Sequence, residues 1–304
     1  MINPMKNKTI RSLALGIIFF LTLSLSYLPA EKISFQVNYC FPSFPVNDLD
    51  QWLTSYNQLW QDWAASKKGS LNGQFPTLQY SPSLEMGLRI AILPGFSLAF
   101  SGSHFSSQAE GQVQFLKTEN NQTETHFLRN QVSFLPLKIG FNYRQALPFF
   151  QPLAVNISLG RHIIFISYKK YEEYEARFDV LGKEFLYWFN KDCFYRSESL
   201  GYFAELGLEY SPFRFFSIFA SLEQIWNSTD GFKGTLNYSD YTGENRTDKA
   251  SLYFYESKPG NLSQYYRFLQ GAKKRPSGEN IRDVRQAIFN FGGFSFKIGL
   301  RFNF

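Results

Sequence analysis

The sequence predicts an all-β chain, a closed antiparallel transmembrane β-barrel of about eight strands with a short helix in the first external loop. Three observations predict it. Apolar residues alternate with small or polar ones at period two in segment after segment. The connections between those segments alternate between short and long. Finally, 19% of the 304 residues are aromatic, yet mean hydropathy is only −0.25. Aromatic abundance in a chain that is not apolar on average implies a surface facing something other than water. That hydropathy excludes a multi-span helical membrane protein. Two cysteines exclude a disulfide-dense scaffold or a Cys-rich zinc site.

Residues 1–30 read as a cleaved secretory signal. Lys6, Lys8 and Arg11 precede an apolar run from Leu13 to Leu25, and small residues follow at Ser24, Ser26 and Ala30. The run is shorter than the roughly 20 residues of a membrane-spanning helix. Residues 31–304 then form one barrel domain. The whole chain carries +6; the first 30 residues hold three Lys/Arg and no acid, which leaves 28 bases, 25 acids and a net +3. The basic balance therefore belongs largely to the signal and gives no argument for nucleic acid.

The strands follow in order. Leu84, Met86, Leu88, Ile90 and Ile92 alternate with Glu85, Gly87, Arg89 and Ala91. Leu135 to Tyr143 alternates with Lys138, Gly140, Asn142 and Arg144, and Leu153 to Leu159 with Ala154, Asn156, Ser158 and Gly160. Tyr202 to Tyr210 alternates with Glu205, Gly207 and Glu209. Phe216 to Leu222 alternates with Ser217, Ser221 and Glu223, with Phe219 as the exception. The last stretch is the most regular: Phe294, Phe296, Ile298, Leu300, Phe302 and Phe304 against Ser295, Lys297, Gly299, Arg301 and Asn303. Its eleven residues match what a tilted strand needs to cross a bilayer. A soluble sandwich also alternates, but with Lys, Glu and Thr on its wet face. Here the polar face is rich in Gly, Ala and Ser, as a narrow interior requires.

Short connections fall at Pro94-Gly95, Pro148 to Pro152 and Ser211 to Arg214; long polar ones fall near 41–81, 119–125, 177–193 and 239–280. The strands are expected near 33–40, 83–93, 96–117, 126–146, 152–175, 194–210, 215–238 and 286–304. An even count with alternating loop lengths matches outer-membrane barrels, with both chain ends on the periplasmic side. Phe96, Tyr143, Phe149, Phe150, Tyr210, Phe213, Phe215, Phe216, Phe302 and Phe304 gather beside the short turns, where one aromatic girdle is expected.

On these features the chain resembles small bacterial outer-membrane barrels of the OmpA/OmpX/OmpW type over nearly its whole mature length. The resemblance implies location in the cell outer membrane, contact with outer-membrane lipid and lipopolysaccharide, and recognition of Phe302 and Phe304 by the barrel-assembly machinery. Unlike OmpA, the chain is expected to lack a periplasmic peptidoglycan-binding domain after the barrel.

Inward charges sort into two heights. Arg89, Arg144, Glu209 and Arg301 lie two to four residues above the short-turn end, and Glu85, Lys138, Glu205, Glu223 and Lys297 six to nine. Eight strands leave room only for side chains, and opposite charges there should pair because an unpaired buried charge is costly. The expectation is a lumen plugged by salt bridges, with a structural or interaction role carried by the external loops and an unidentified external partner. A narrow solute channel is the competing non-enzymatic reading.

Chemistry-bearing residues are sparse. His104 and Ser106 share one face of the third strand with Glu110, which by parity points to lipid. Lipid A 3-O-deacylases, eight-stranded barrels with a His and a Ser two apart on the outer face, resemble this arrangement, and an acyl-hydrolase activity rests on those three residues. His126 and His162 stand alone, no metal or other cofactor is expected, and no Walker, Rossmann, zinc or EF-hand motif occurs. In the first loop, Asp48 and Gln51 suggest a capping box ahead of Leu49, Trp52, Leu53, Tyr56, Trp60 and Trp63 at helical spacing. That helix would cap the mouth, lie on the outer leaflet, bind a partner or pack on the protruding strands. Lys273, Lys274, Arg275, Arg282 and Arg285 form a basic group suited to lipopolysaccharide phosphates or to plain solvation. Cys40 and Cys193, both expected at external strand ends, are candidates to pair in an oxidising compartment.

Overall fold

The structure, a computed structural model, describes residues 33–43, 46–117, 122–180, 183–260 and 262–304. The expected signal, 1–30, lies outside the described residues. The elements in chain order are β1 (Ile33–Ser43), α1 (Asn47–Ser66), β2 (Ser70–Gln74), β3 (Ser83–Leu93), β4 (Phe96–Ser103) and β5 (Phe105–Lys117). They continue as β6 (Gln122–Leu147), β7 (Phe150–Val180), β8 (Lys183–Phe213), β9 (Phe216–Trp226), β10 (Ser228–Thr229) and β11 (Lys233–Asp240). Last come β12 (Asn245–Ser257), β13 (Tyr266–Ala272), β14 (Ile281–Gln286), β15 (Phe289–Asn290) and β16 (Gly293–Asn303).

Strand pairing closes a ring. β1 pairs with β3, β3 with β4, β4 with β6 and β6 with β7. β7 then pairs with β8, β8 with β9, β9 with β16, and β16 returns to β1, every pair antiparallel. Each of these eight strands has two partners, so among the described residues the ring has no free edge for lipid to meet. At the seam the Phe304 N–H donates to Ile33 O at 2.8 Å.

Alternation sets which side chains go in. On β16, Phe294, Phe296, Ile298, Leu300 and Phe302 face outward and are exposed, while Ser295, Lys297 and Arg301 are buried inside. The same parity holds on β3, β6, β7, β8 and β9. Phe219, the exception in the alternation, turns inward because it lies opposite Gly299: a Cβ there would come within 2.7 Å of the Phe219 ring. Phe203 fills a similar gap over Gly140 and Gly160, which face each other across β6 and β7. Large rings inside thus sit where the facing residue has no side chain. The expected girdle is present at the short-turn end, with Phe96, Phe149, Phe150, Tyr210, Phe213, Phe215, Phe302 and Phe304 all exposed.

Beyond the ring the strands continue into the expected loops near 119–125 and 177–193, over 122–125, 177–180 and 183–193. β6 pairs with β7 as far as Thr123, and β7 with β8 to Val180 opposite Lys183. Three other expected elements are divided. The strand expected over 96–117 breaks at His104, where the neighbour of β6 changes from β4 to β5. The one expected over 215–238 becomes β9, β10 and β11, so that β8 passes from β9 to β11. The one expected over 286–304 becomes β15 and β16. The expected long loops 41–81 and 239–280 contain α1 and β2, and β12 and β13, respectively. The upper sheet runs β2-β5-β6-β7-β8-β11-β12-β13, and α1 packs against both of its edge strands, β2 and β13.

Inside this upper cylinder the lining becomes apolar. Phe134, Ile164, Ile166, Tyr168, Tyr195 and Phe203 join Leu49, Trp52, Leu53 and Trp60 of α1 in one core. The segment 287–291 also enters it: Ala287, Phe289 and Phe291 are fully buried, with Phe291 4.9 Å from Phe134 and Phe289 4.5 Å from Phe232 between ring centres. Of the roles open to α1, the structure shows packing within the protruding strands. The capping box is corrected: Val46 is the N-cap, without a side-chain cap bond. Asp48 instead accepts two bonds from the Arg285 guanidinium, at 2.5 and 2.6 Å, and one from the Ile288 N–H at 2.7 Å.

Candidate functional site

The charged interior of the ring forms where β3, β6, β8, β9 and β16 turn polar residues inward. The nine charged residues expected there occupy two tiers. In the upper tier, Lys297 Nζ lies 2.9 Å from Glu85, 2.9 Å from Glu205 and 3.1 Å from Glu223. Lys138 Nζ lies 2.7 Å from both Glu85 and Glu223. Asn38 donates to Glu85 at 2.8 Å. All five charged residues are buried, Lys297 with 1% of its surface exposed.

The lower tier is built around Glu209. Its Oε1 accepts from Arg144 Nε at 3.1 Å and from the Ser211 hydroxyl at 3.2 Å. Its Oε2 accepts from Asn156 Nδ2 at 2.9 Å and from Arg301 Nη1. Among the described residues Arg89 forms no ion pair; its Nη1 donates to the amide oxygens of Asn142 (2.6 Å) and Asn156 (3.3 Å). A cavity of about 580 Å³ opens from this tier at the short-turn end, lined by Arg89, Arg144, Arg301, Ser97 and Asn142 among others. Asn38, Asn142 and Asn156 complete both tiers. Parity placed Asn142 and Asn156 inside, but nothing in the sequence marked them as partners of the charges.

A second polar group lies in the upper cylinder, beside α1. His126 places Nδ1 3.3 Å from the Tyr56 hydroxyl and Nε2 3.3 Å from Glu172. Lys170 lies 3.1 Å from Glu172 and stands over the Trp52 ring at 4.4 Å. Burial pushes the Glu172 carboxyl up, but Lys170, Lys191 and His126 outweigh it and hold the group well below the usual carboxylate range. For Glu124, burial wins and its pKa is raised, although Tyr174 and Gln122 donate to it. His126 is thus far from solitary, but its contacts come from strands and a helix distant in sequence.

The remaining candidates lie elsewhere on the molecule. His104 sits in the gap between β4 and β5 and lines an outer groove with Ser106, Gln79 and Pro82. The Ser106 hydroxyl shares a bond with the Ser133 hydroxyl at 3.1 Å. Glu110 accepts from Arg129 Nε at 2.9 Å. The basic group is mostly engaged within the protein: Lys273 with Asp248 (2.5 Å), Arg275 with Val284 O, Arg282 with Glu256 (2.7 Å) and Arg285 with Asp48. Lys274 is exposed. The candidate pairing of Cys40 and Cys193 is corrected: both are buried free thiols. Cys40 is level with Ser83 and Lys297, whereas Cys193 lies within β8 opposite Lys170, ten residues beyond Phe203. Burial pushes the Cys193 thiol up.

No family model matches the chain, and no curated protein matches it. Among solved structures it is similar to the outer membrane protein OprG from Pseudomonas aeruginosa, at 10% identity and a TM-score of 0.38, covering 90% of this chain and 96% of that one. It is also similar to CarO from Acinetobacter baumannii, at 12% identity and a TM-score of 0.28, covering 78% and 97%. The closed eight-stranded antiparallel barrel, apolar outside and charged within, rests on the pairing register of this chain itself.

Proposed function

We propose that this chain is an outer-membrane barrel whose lumen is closed by its own charges, and that it acts as a structural or interaction protein through the cylinder beyond the membrane. One observation carries the reading. Two lysines and three glutamates from five different strands fill the ring at 2.7–3.1 Å from one another. A pore would leave such groups hydrated and apart; here they replace water with each other. The outward apolar band supports the membrane assignment. From Phe294 to Phe302 it spans roughly 20 Å at ~3.3 Å per residue and ~40° tilt, near the ~25 Å expected of such a band.

Export through a cleaved signal at 1–30 belongs to the same reading, as does assembly through the terminal strand. Phe302 and Phe304 remain exposed while that strand closes the seam. Lipopolysaccharide would surround the band, and the external partner would meet the upper cylinder. Purified protein in planar bilayers is expected to show no large, steady single-channel conductance. A stable conductance of that kind overturns the closed lumen.

A further inference from the structure

The lower tier holds more positive charge than it can neutralise. Arg89, Arg144 and Arg301 share this tier with one carboxylate, Glu209, so the tier itself carries three positive charges against one negative, and the next carboxylate up, Glu205, is already paired with Lys297. Both oxygens of Glu209 are already taken, each by an arginine and by a neutral donor in Ser211 or Asn156. Among the described residues the three upper glutamates form no ion pair with these arginines; each is held by Lys138, Lys297 or both. Counting both tiers, five bases face four acids.

Donors are left over as well as charge. Arg89 is 5% exposed and Arg301 3%. Among the described residues, Arg89 Nε and Arg301 Nε and Nη2 have no hydrogen-bond acceptor. The Phe219 ring, 5.2 Å from the Arg301 guanidinium, offers only a π-face. Unpartnered N–H groups on buried cations are costly, and the guanidinium fork matches a tetrahedral or planar oxyanion at two points. The cavity against these groups, about 580 Å³ and open at the short-turn end, has room for such a ligand.

We infer that the short-turn cavity is a binding site for a phosphate-type oxyanion, held by Arg89 and Arg301 with Arg144 at the rim. Asn142 fixes Arg89 from the side and, as a neutral amide, adds no negative charge to the site. The inference goes beyond the closed-lumen reading and does not depend on conductance: a cavity below the lysine tier binds or fails to bind whether or not ions pass above it.

The test uses the full chain in neutral detergent, titrated with inorganic phosphate and followed by calorimetry. Saturable binding is expected, weakened at least tenfold by Arg89→Gln in protein that keeps its heat-modifiable electrophoretic mobility. Asn142→Asp places a carboxylate against Arg89 and is expected to abolish binding, which keeps the inference falsifiable if Arg89→Gln does not fold. Parallel titrations with glycerol phosphate and a short-chain phosphatidylglycerol separate a free phosphate from a lipid headgroup as its source. No saturable phosphate binding, or binding unchanged in both variants, overturns it.

Discussion

Lys297 bears the greatest electrostatic demand in the interior. It serves three carboxylates at once and is almost wholly buried. Lys297→Met leaves Glu85 and Glu223 with Lys138 alone and takes from Glu205 its ion-pair partner, and breaking a buried pair by removing one partner costs on the order of 3–5 kcal/mol. Urea titration in detergent should show that loss, and an unchanged midpoint would contradict the assigned contacts. The glycine–aromatic pairs make a steric counterpart. Phe203→Ala empties the space over Gly140 and Gly160 and is expected to cost about 3–5 kcal/mol, as for other Phe-to-Ala changes in packed interiors. Much of this was legible in the sequence, because period two fixes facing once one charge is known to lie inside. Phe219 was not, since its reason is a glycine on another strand.

At the scale of the element, α1 and the β7–β8 hairpin decide what stands outside the membrane. Each strand of that hairpin has 31 residues, about three times the 9–11 that a bilayer crossing needs. The helix was legible because its apolar residues recur at helical spacing. The strand extensions were not, because Lys183 to Asn190 lie beyond the lipid and lack the alternation that a two-phase environment imposes. Trp52→Ala removes a fully buried ring from the upper core and is expected to destabilise the upper cylinder by about 3–5 kcal/mol. Limited proteolysis should then cut the upper cylinder while the ring stays intact. Acid should reach the upper cylinder through Glu172, which faces Lys170, Lys191, His126 and Tyr56. Its folded pKa lies below the ordinary value, so its contribution is present above about pH 4.3 and is lost as pH falls through the folded value. Tryptophan fluorescence should report an acid transition that Glu172→Gln reduces.

For the whole molecule, one parity runs from the short turns to the far end of the cylinder while its meaning changes. Outward residues pass from aromatic girdle to apolar band to wet surface; inward ones pass from an arginine tier to a lysine–glutamate tier to an apolar core closed by α1 and the 287–291 segment. The first half of that progression is written in the sequence. The second half depends on β15 and α1 meeting strands distant in the chain, which no local pattern records. Aromatic abundance without overall hydropathy follows from the same arrangement, since apolar exterior and polar interior cancel in the average.

Cysteine scanning along residues 294–303, in a chain carrying Cys40→Ser and Cys193→Ser, tests the central claim most directly. Labels at Phe294, Phe296, Ile298, Leu300 and Phe302 should be quenched by a lipid-borne quencher, and a cysteine at the buried, inward Ser295 should resist both that quencher and a hydrophilic thiol reagent. Rapid hydrophilic labelling at the inward Ser295 position would mean an open pore, and at the outward ones a chain that does not sit in lipid; either result contradicts a closed membrane barrel.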